Sequence, residues 1–142
     1  MNLIGKYKGS TDCDIIARTL YGEARYICTR TERIAIAHVI NNRVHDSKNR
    51  WGNTHKEVCL QKKQFSCWNK DDPNLDKIIN VRWENEHFQE CFGIAYSVVN
   101  LFVHDFTDGA NHYHDKSLEE PPKWTNNMVL TLETRHFKFY RG

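Results

Sequence analysis

Three groups of residues in this sequence could do chemistry. The first is a single carboxylate, Glu23, in the run Leu20-Tyr21-Gly22-Glu23-Ala24-Arg25. The second is the pair His112-x-His114, and the third is a cysteine such as Cys67 among eight histidines. On a helix of 3.6 residues per turn, Cys13, Ile16, Ala17, Leu20 and Ala24 share one face, and Glu23 falls on its shoulder beside Ile16 and Leu20. A carboxyl at an apolar edge is disfavoured in its charged form, so its pKa rises. A proton held near neutral pH is what a general acid needs to cleave a sugar–oxygen bond. The competing reading is a helix-end glutamate paired with Arg25 or with a neighbouring helix. Nothing in the helix alone separates the two.

The histidine pair is a weaker signal. If Asn111-His112-Tyr113-His114 is a strand, both imidazoles face one way and could reach one zinc ion. A third ligand is named by no motif, since there is no HExxH, and the expectation is that the chain holds no metal and no cofactor. The five cysteines are Cys13, Cys28, Cys59, Cys67 and Cys91, with no CxxC among them, which argues against a structural zinc site. Cys13 and Cys91 read as buried thiols, and Cys59 and Cys67 flank a loop across which a disulfide is open. A cysteine nucleophile lacks a base placed beside it by any motif.

Glycoside hydrolysis ordinarily uses two carboxyls, about 5–5.5 Å apart for retention or about 6.5–9.5 Å for inversion. Glu32, Asp71, Asp72, Asp108 and Asp115 are all available as partners for Glu23, and spacing selects none of them. One carboxyl could also act alone. It would protonate the glycosidic oxygen and then take a proton from the substrate's own hydroxyl, closing an anhydro ring, which is the lytic transglycosylase route.

The elements that must position these groups follow from periodicity. A first helix is predicted over Asp12 to Gly22, with capping-box character in Thr11 and Asp14 and Gly22 at its end. A second runs over Glu32 to Asp46, capped by Thr29 with Glu32 or by Thr31, with Ile36, Val39, Ile40 and Val44 buried. Arg43 projects into that stripe and is expected to anchor a carboxylate or backbone carbonyls, because an unpaired buried guanidinium is costly. Residues 47–80 read as irregular and polar, with a short helix near Leu75 to Asn80 and with Phe65 plugging the core. The main core helix is predicted over Glu84 to Phe102, where Phe88, Cys91, Phe92, Ala95, Val99 and Phe102 recur at helical spacing. Strands follow at 111–114, 128–133 and 136–140, the last two turning near Thr134-Arg135. The predicted class is α+β: one domain over 1–142, with three main helices and a small C-terminal antiparallel sheet.

Bulk properties set wide bounds. The chain has 142 residues, 39% hydrophobic and 27% charged, with a net charge of +2. The mean hydropathy is −0.72 and the pI about 8.3. That balance suits one domain with a real core and lacks the concentrated charge of a nucleic-acid binder. No run of roughly 18 apolar residues is present, so stable membrane insertion is not expected, and no secretory signal is apparent near Met1.

Several blocks taken together are more specific. Ala17-Arg18-Thr19-Leu20-Tyr21-Gly22-Glu23-Ala24-Arg25 resembles the signature of the cell-wall hydrolase family typified by the germination-specific spore-cortex-lytic enzymes. Val39-Ile40-Asn41-Asn42-Arg43-Val44 resembles its second motif and Gln64-Phe65-Ser66-Cys67-Trp68 its third. Gly109 to His114, Pro122-Lys123-Trp124 and His136 to Tyr140 resemble its C-terminal pattern, so the likeness runs from about 14 to 140. The resemblance implies a lysozyme-like fold with a peptidoglycan cleft. It implies one catalytic glutamate, matched by Glu23, acting on the bond between N-acetylmuramic acid and N-acetylglucosamine. Gln64, Ser66, Trp68, Tyr113 and His114 fall in blocks expected to line the cleft and bind glycan strands. The spore enzymes carry a signal and a separate wall-binding domain. A leaderless domain instead resembles a phage endolysin, made in the cytoplasm and admitted to the wall by a holin. The alternatives are a muramidase using water and a second carboxylate, a zinc-dependent amidase using His112 and His114, and a non-catalytic wall-binding module.

Overall fold

Helix starts in this chain are set by side chains that bind the first free backbone N–H groups. Thr29 caps α2 (Arg30–Val44) by accepting from the Glu32 N–H, and the Glu32 carboxylate accepts from the Thr29 N–H, a full capping box. Asn85 caps α5 (Glu86–Val99) in the same manner, through the Phe88 N–H. The structure, a computed structural model, describes residues 12–24, 27–61 and 64–142. The Thr11 cap and the possible Arg25 partner of Glu23 lie outside the described residues, as does Tyr26.

Five α-helices are present among the described residues: α1 (Asp12–Glu23), α2, α3 (His55–Leu60), α4 (Leu75–Asn80) and α5. Two short 3-10 turns lie at Ser66–Trp68 and Lys123–Asn127. The three long helices are α1, α2 and α5, as periodicity predicts, and α1 and α2 both pack against α5. Their apolar faces meet in one core containing Ile15, Ile16, Leu20, Ile36, Ile40, Phe88, Ile94 and Val98. Strands β1 (His112–Asp115), β2 (Val129–Glu133) and β3 (Phe137–Arg141) form an antiparallel sheet in the order β1-β3-β2. A bulge between Leu130 and Leu132 adjusts the β2–β3 register. Phe137 and Phe139 close the core from the sheet side. The expected α+β class, with three main helices and a small terminal sheet, describes this architecture.

Two expectations need correction. The core helix stops at Val99, three residues before the predicted end. Leu101 adopts a left-handed conformation (φ 60°), and the Phe102 N–H bonds back to the Ser97 carbonyl. This is a Schellman-type stop on a non-glycine residue, and it turns Phe102 outward, 71% exposed, against Tyr96. The segment 47–80 is also less irregular than expected. Helix α3 lies within it, started by Thr54, whose hydroxyl accepts from the Glu57 N–H.

Candidate active site

Glu23 is the last residue of α1 and lines a cleft of about 350 Å³. The cleft is lined by Gly22, Glu23, Ser66, Cys67, Asn74, Tyr113, Asp115 and Phe137. Three elements therefore converge: the C-terminal end of α1, the 3-10 turn Ser66–Trp68, and strand β1. Gly22 makes the first convergence possible. A Cβ there would stand 2.7 Å from the Cys67 Cβ and 2.8 Å from the Ile78 Cγ2, so only glycine lets the turn approach this closely.

That approach sets the electrostatics of Glu23. Burial is the dominant influence and raises its pKa from an ordinary 4.5 to about 7. Backbone N–H groups of Cys67 and Ser66 donate to the carboxyl and oppose the rise, as does the Arg43 charge, while Asp72 adds to it. A carboxylate at the negative end of a helix is disfavoured as well. The result is an acid that holds its proton up to neutrality, with donors ready to receive the anion once the proton leaves.

Arg43 carries out its expected anchoring. It is 6% exposed and its Nε donates to the Asn111 carbonyl at 2.8 Å. Its guanidinium lies over the rings of Trp51 and Phe65, and Nη1 reaches the Gln64 Oε1 at 3.4 Å. Because Asn111 directly precedes β1, this contact fixes the strand that carries Tyr113. Asp105 supports the same loop, accepting from Thr107, Gly109 and Asn42. Phe65 is 2% exposed and plugs the core as expected.

Strand alternation then divides the remaining candidates. Tyr113 and Asp115 face the cleft, whereas His112 and His114 face the other side of the sheet. Burial raises the Tyr113 phenol well above its ordinary value, and the nearby Glu23 adds to that, so the hydroxyl stays neutral. His114 is committed elsewhere: Nε2 meets the Tyr140 hydroxyl at 2.9 Å, Nδ1 meets the Asp115 carbonyl at 3.0 Å, and the ring stacks on Tyr140. His114 is not among the residues that line the cleft. Both of its ring nitrogens are thus hydrogen-bonded within the sheet region. His112 packs between Trp51 and Trp124, with Nδ1 on the Asn111 Oδ1.

Trp68 is also not among the residues that line the cleft. It is 3% exposed and its indole N–H donates to the Thr19 hydroxyl at 2.8 Å, so it fastens the 3-10 turn to α1 beneath the cleft. Ser66 lines the cleft. Gln64 is exposed at the start of the same turn segment, with its carbonyl held by Arg43. Cys67 contributes through its backbone, while burial pushes its thiol well above the ordinary range. Cys59 and Cys67 are not joined by a disulfide.

Among the five possible partner carboxylates, Asp115 shares the cleft and Asp72 is close enough to influence Glu23. Glu32 is excluded by its commitments, since it is fully buried and accepts from Thr29, Thr134 and His136. Asp108 is exposed and paired with Arg141. Asn74 and Phe137, both cleft residues, carry no local signal that marks them in advance.

Two solved structures share the fold. The catalytic domain of the Bacillus cereus SleB protein matches with a TM-score of 0.71 at 21% identity, covering 92% of this chain and 89% of that one. The catalytic domain of the germination-specific lytic transglycosylase SleB from Bacillus anthracis matches with a TM-score of 0.70 at 22% identity, covering 92% and 93%. No curated protein matches the chain. The family model described as Cell Wall Hydrolase matches residues 29–140, most of the sequence, beginning just after Glu23. The chain belongs to the cell wall hydrolase family and has a lysozyme-like fold.

Proposed function

We propose that the protein is a peptidoglycan lytic transglycosylase in which Glu23 is the acid and then the base. The observation that carries this reading is Glu23 itself, which lines the cleft beside the Ser66–Cys67 turn and whose pKa is raised to about 7 by burial. Protonated Glu23 gives its proton to the oxygen linking N-acetylmuramic acid to N-acetylglucosamine, and that bond breaks. The carboxylate, held by the Ser66 and Cys67 N–H groups, then takes the proton from the C6 hydroxyl of the muramic acid. The freed oxygen closes on C1 to give a 1,6-anhydro end, and Glu23 is returned protonated. In this reading Tyr113 and Ser66, which line the cleft, contact the glycan, and Gln64 at the start of the same turn extends that contact. The similarity to a domain named as a lytic transglycosylase supports the reading.

A second reading, muramidase action with water, is favoured by one observation: Asp115 shares the cleft. The masses of fragments released from purified sacculi separate the two. Anhydro-ended muropeptides, lighter by one water, support the transglycosylase, whereas reducing ends point to hydrolysis with Asp115 as the partner.

Among the described residues, no helix is long and apolar enough to cross a membrane. The proposal extends to access: as an endolysin, the protein would reach the wall when a holin opens the membrane. Finding a processed, secreted precursor in the source cell would contradict that part.

A further inference from the structure

At the junction of α2 with the β2–β3 turn, Cys28, Glu32 and His136 stand together, and the glycan chemistry uses none of them. One donor atom from each, a sulfur, a carboxylate oxygen and a ring nitrogen, all lie within 4.8 Å of one another. Cys28 and Glu32 are buried, and the His136 side chain is 19% exposed. Cys28 and Glu32 are four residues apart around the helix start, while His136 arrives from the far end of the chain.

The donor set has a chemical preference. Calcium and magnesium take oxygen ligands, whereas one thiolate, one imidazole and one carboxylate suit a borderline divalent ion such as zinc. Cys28 directly precedes the cap of α2, and a helix N-terminus favours a thiolate. Two anionic ligands would neutralise a dication, so burying the ion leaves no net charge uncompensated. The carboxylate is already aimed by outer contacts. The Thr29 N–H donates to Oε1 at 2.9 Å, and the Thr134 hydroxyl and His136 N–H donate to Oε2 at 2.6 and 2.7 Å. Such supporting contacts orient ligands in known metal sites.

We propose that Cys28, Glu32 and His136 form a zinc-class metal site, with water as the fourth ligand, that staples the C-terminal hairpin to α2. Without metal, His136 Nδ1 and Glu32 Oε1 share a hydrogen bond of 2.8 Å. Ligands around a tetrahedral zinc stand roughly 3.3–3.7 Å apart, so coordination opens this contact by about half an ångström or slightly more. The thiol proton leaves to solvent, and the ring proton of His136 resides on Nε2.

The test uses the whole chain, stripped with a chelator and titrated with cobalt(II) and then zinc. One equivalent of cobalt is expected to produce a thiolate-to-metal absorption band that one equivalent of zinc displaces. Zinc is expected to raise the melting temperature. Cys28→Ser should abolish the band, and His136→Ala should weaken cobalt binding at least about tenfold. Cys13→Ser, at the half-buried cysteine, should retain the band. If Cys28→Ser does not fold, X-ray absorption of the wild-type zinc complex decides: one sulfur with lighter ligands supports the site, and a sulfur-free shell overturns it. Absence of a thiolate band in the wild type, or its survival in folded Cys28→Ser, also overturns it and leaves a Glu–His hydrogen-bonded lock.

Discussion

Replacing Glu23 by Gln should make the protein more stable at alkaline pH while removing its activity. Glu23 ionises near 4.5 in the unfolded chain and at about 7 in the folded one. Between those values the folded state binds more protons, so its stability falls as pH rises through that window. The full difference corresponds to roughly 3 kcal/mol. Residual contact with solvent discounts it to about 2 kcal/mol. Glutamine keeps the shape and an acceptor for the Cys67 N–H, and it has no charge to desolvate. Urea unfolding of both proteins at pH 4 and pH 8 isolates the effect, because other titrating groups cancel in the comparison. The variant should gain about 2 kcal/mol over the wild type at pH 8 relative to the difference at pH 4. An equal difference at both pH values would refute the claim that burial stores strain in this carboxyl.

Further outcomes follow from neighbouring residues. Gly22→Ala should cost about 1–3 kcal/mol and reduce activity, because its methyl would displace Cys67 and the N–H groups aimed at Glu23; unfolding and sacculus clearance measure both. Trp68→Phe removes the donor to Thr19 and should cost about 1 kcal/mol, with the apparent KM for soluble glycan unchanged, since the indole lies below the cleft. The rate should decline above about pH 7 as Glu23 loses its proton, and a rate still rising at pH 9 would contradict its role as the acid. Asp115→Asn should slow release without changing the products, which remain anhydro-ended by mass spectrometry.

How much of this was legible before the fold depended on how local each signal is. Helices α1, α2 and α5 follow from apolar periodicity, and the Thr29–Glu32 capping box is written within four residues. The placing of Glu23 on an apolar shoulder needed only helix geometry, and its surroundings agree. Helix α3 was marked by Thr54 and Glu57, the same local pattern, but its six residues are too short for periodicity to register. The end of α5 was hidden because a leucine takes the left-handed position usually given to glycine. Tyr113 and His114 cannot both face the cleft, because strand alternation puts neighbours on opposite faces; it groups Tyr113 with Asp115 and His112 with His114. Which face turns inward depends on pairing with β3, whose partner residues lie more than twenty positions away. Trp68 resembles a sugar platform by type, and only its distant partner Thr19 identifies it as a core fastening.

The central claim is that Glu23 is the group that gives and takes the proton. The most direct measurement incubates wild type and Glu23→Gln with purified sacculi and quantifies soluble muropeptides, after unfolding curves show that both are folded. General acid–base groups typically contribute about 10²–10⁴-fold, and Glu23 fills both roles, so release should fall by about 10³-fold or more. Release by the variant within tenfold of the wild type would contradict the account and place the chemistry on another residue.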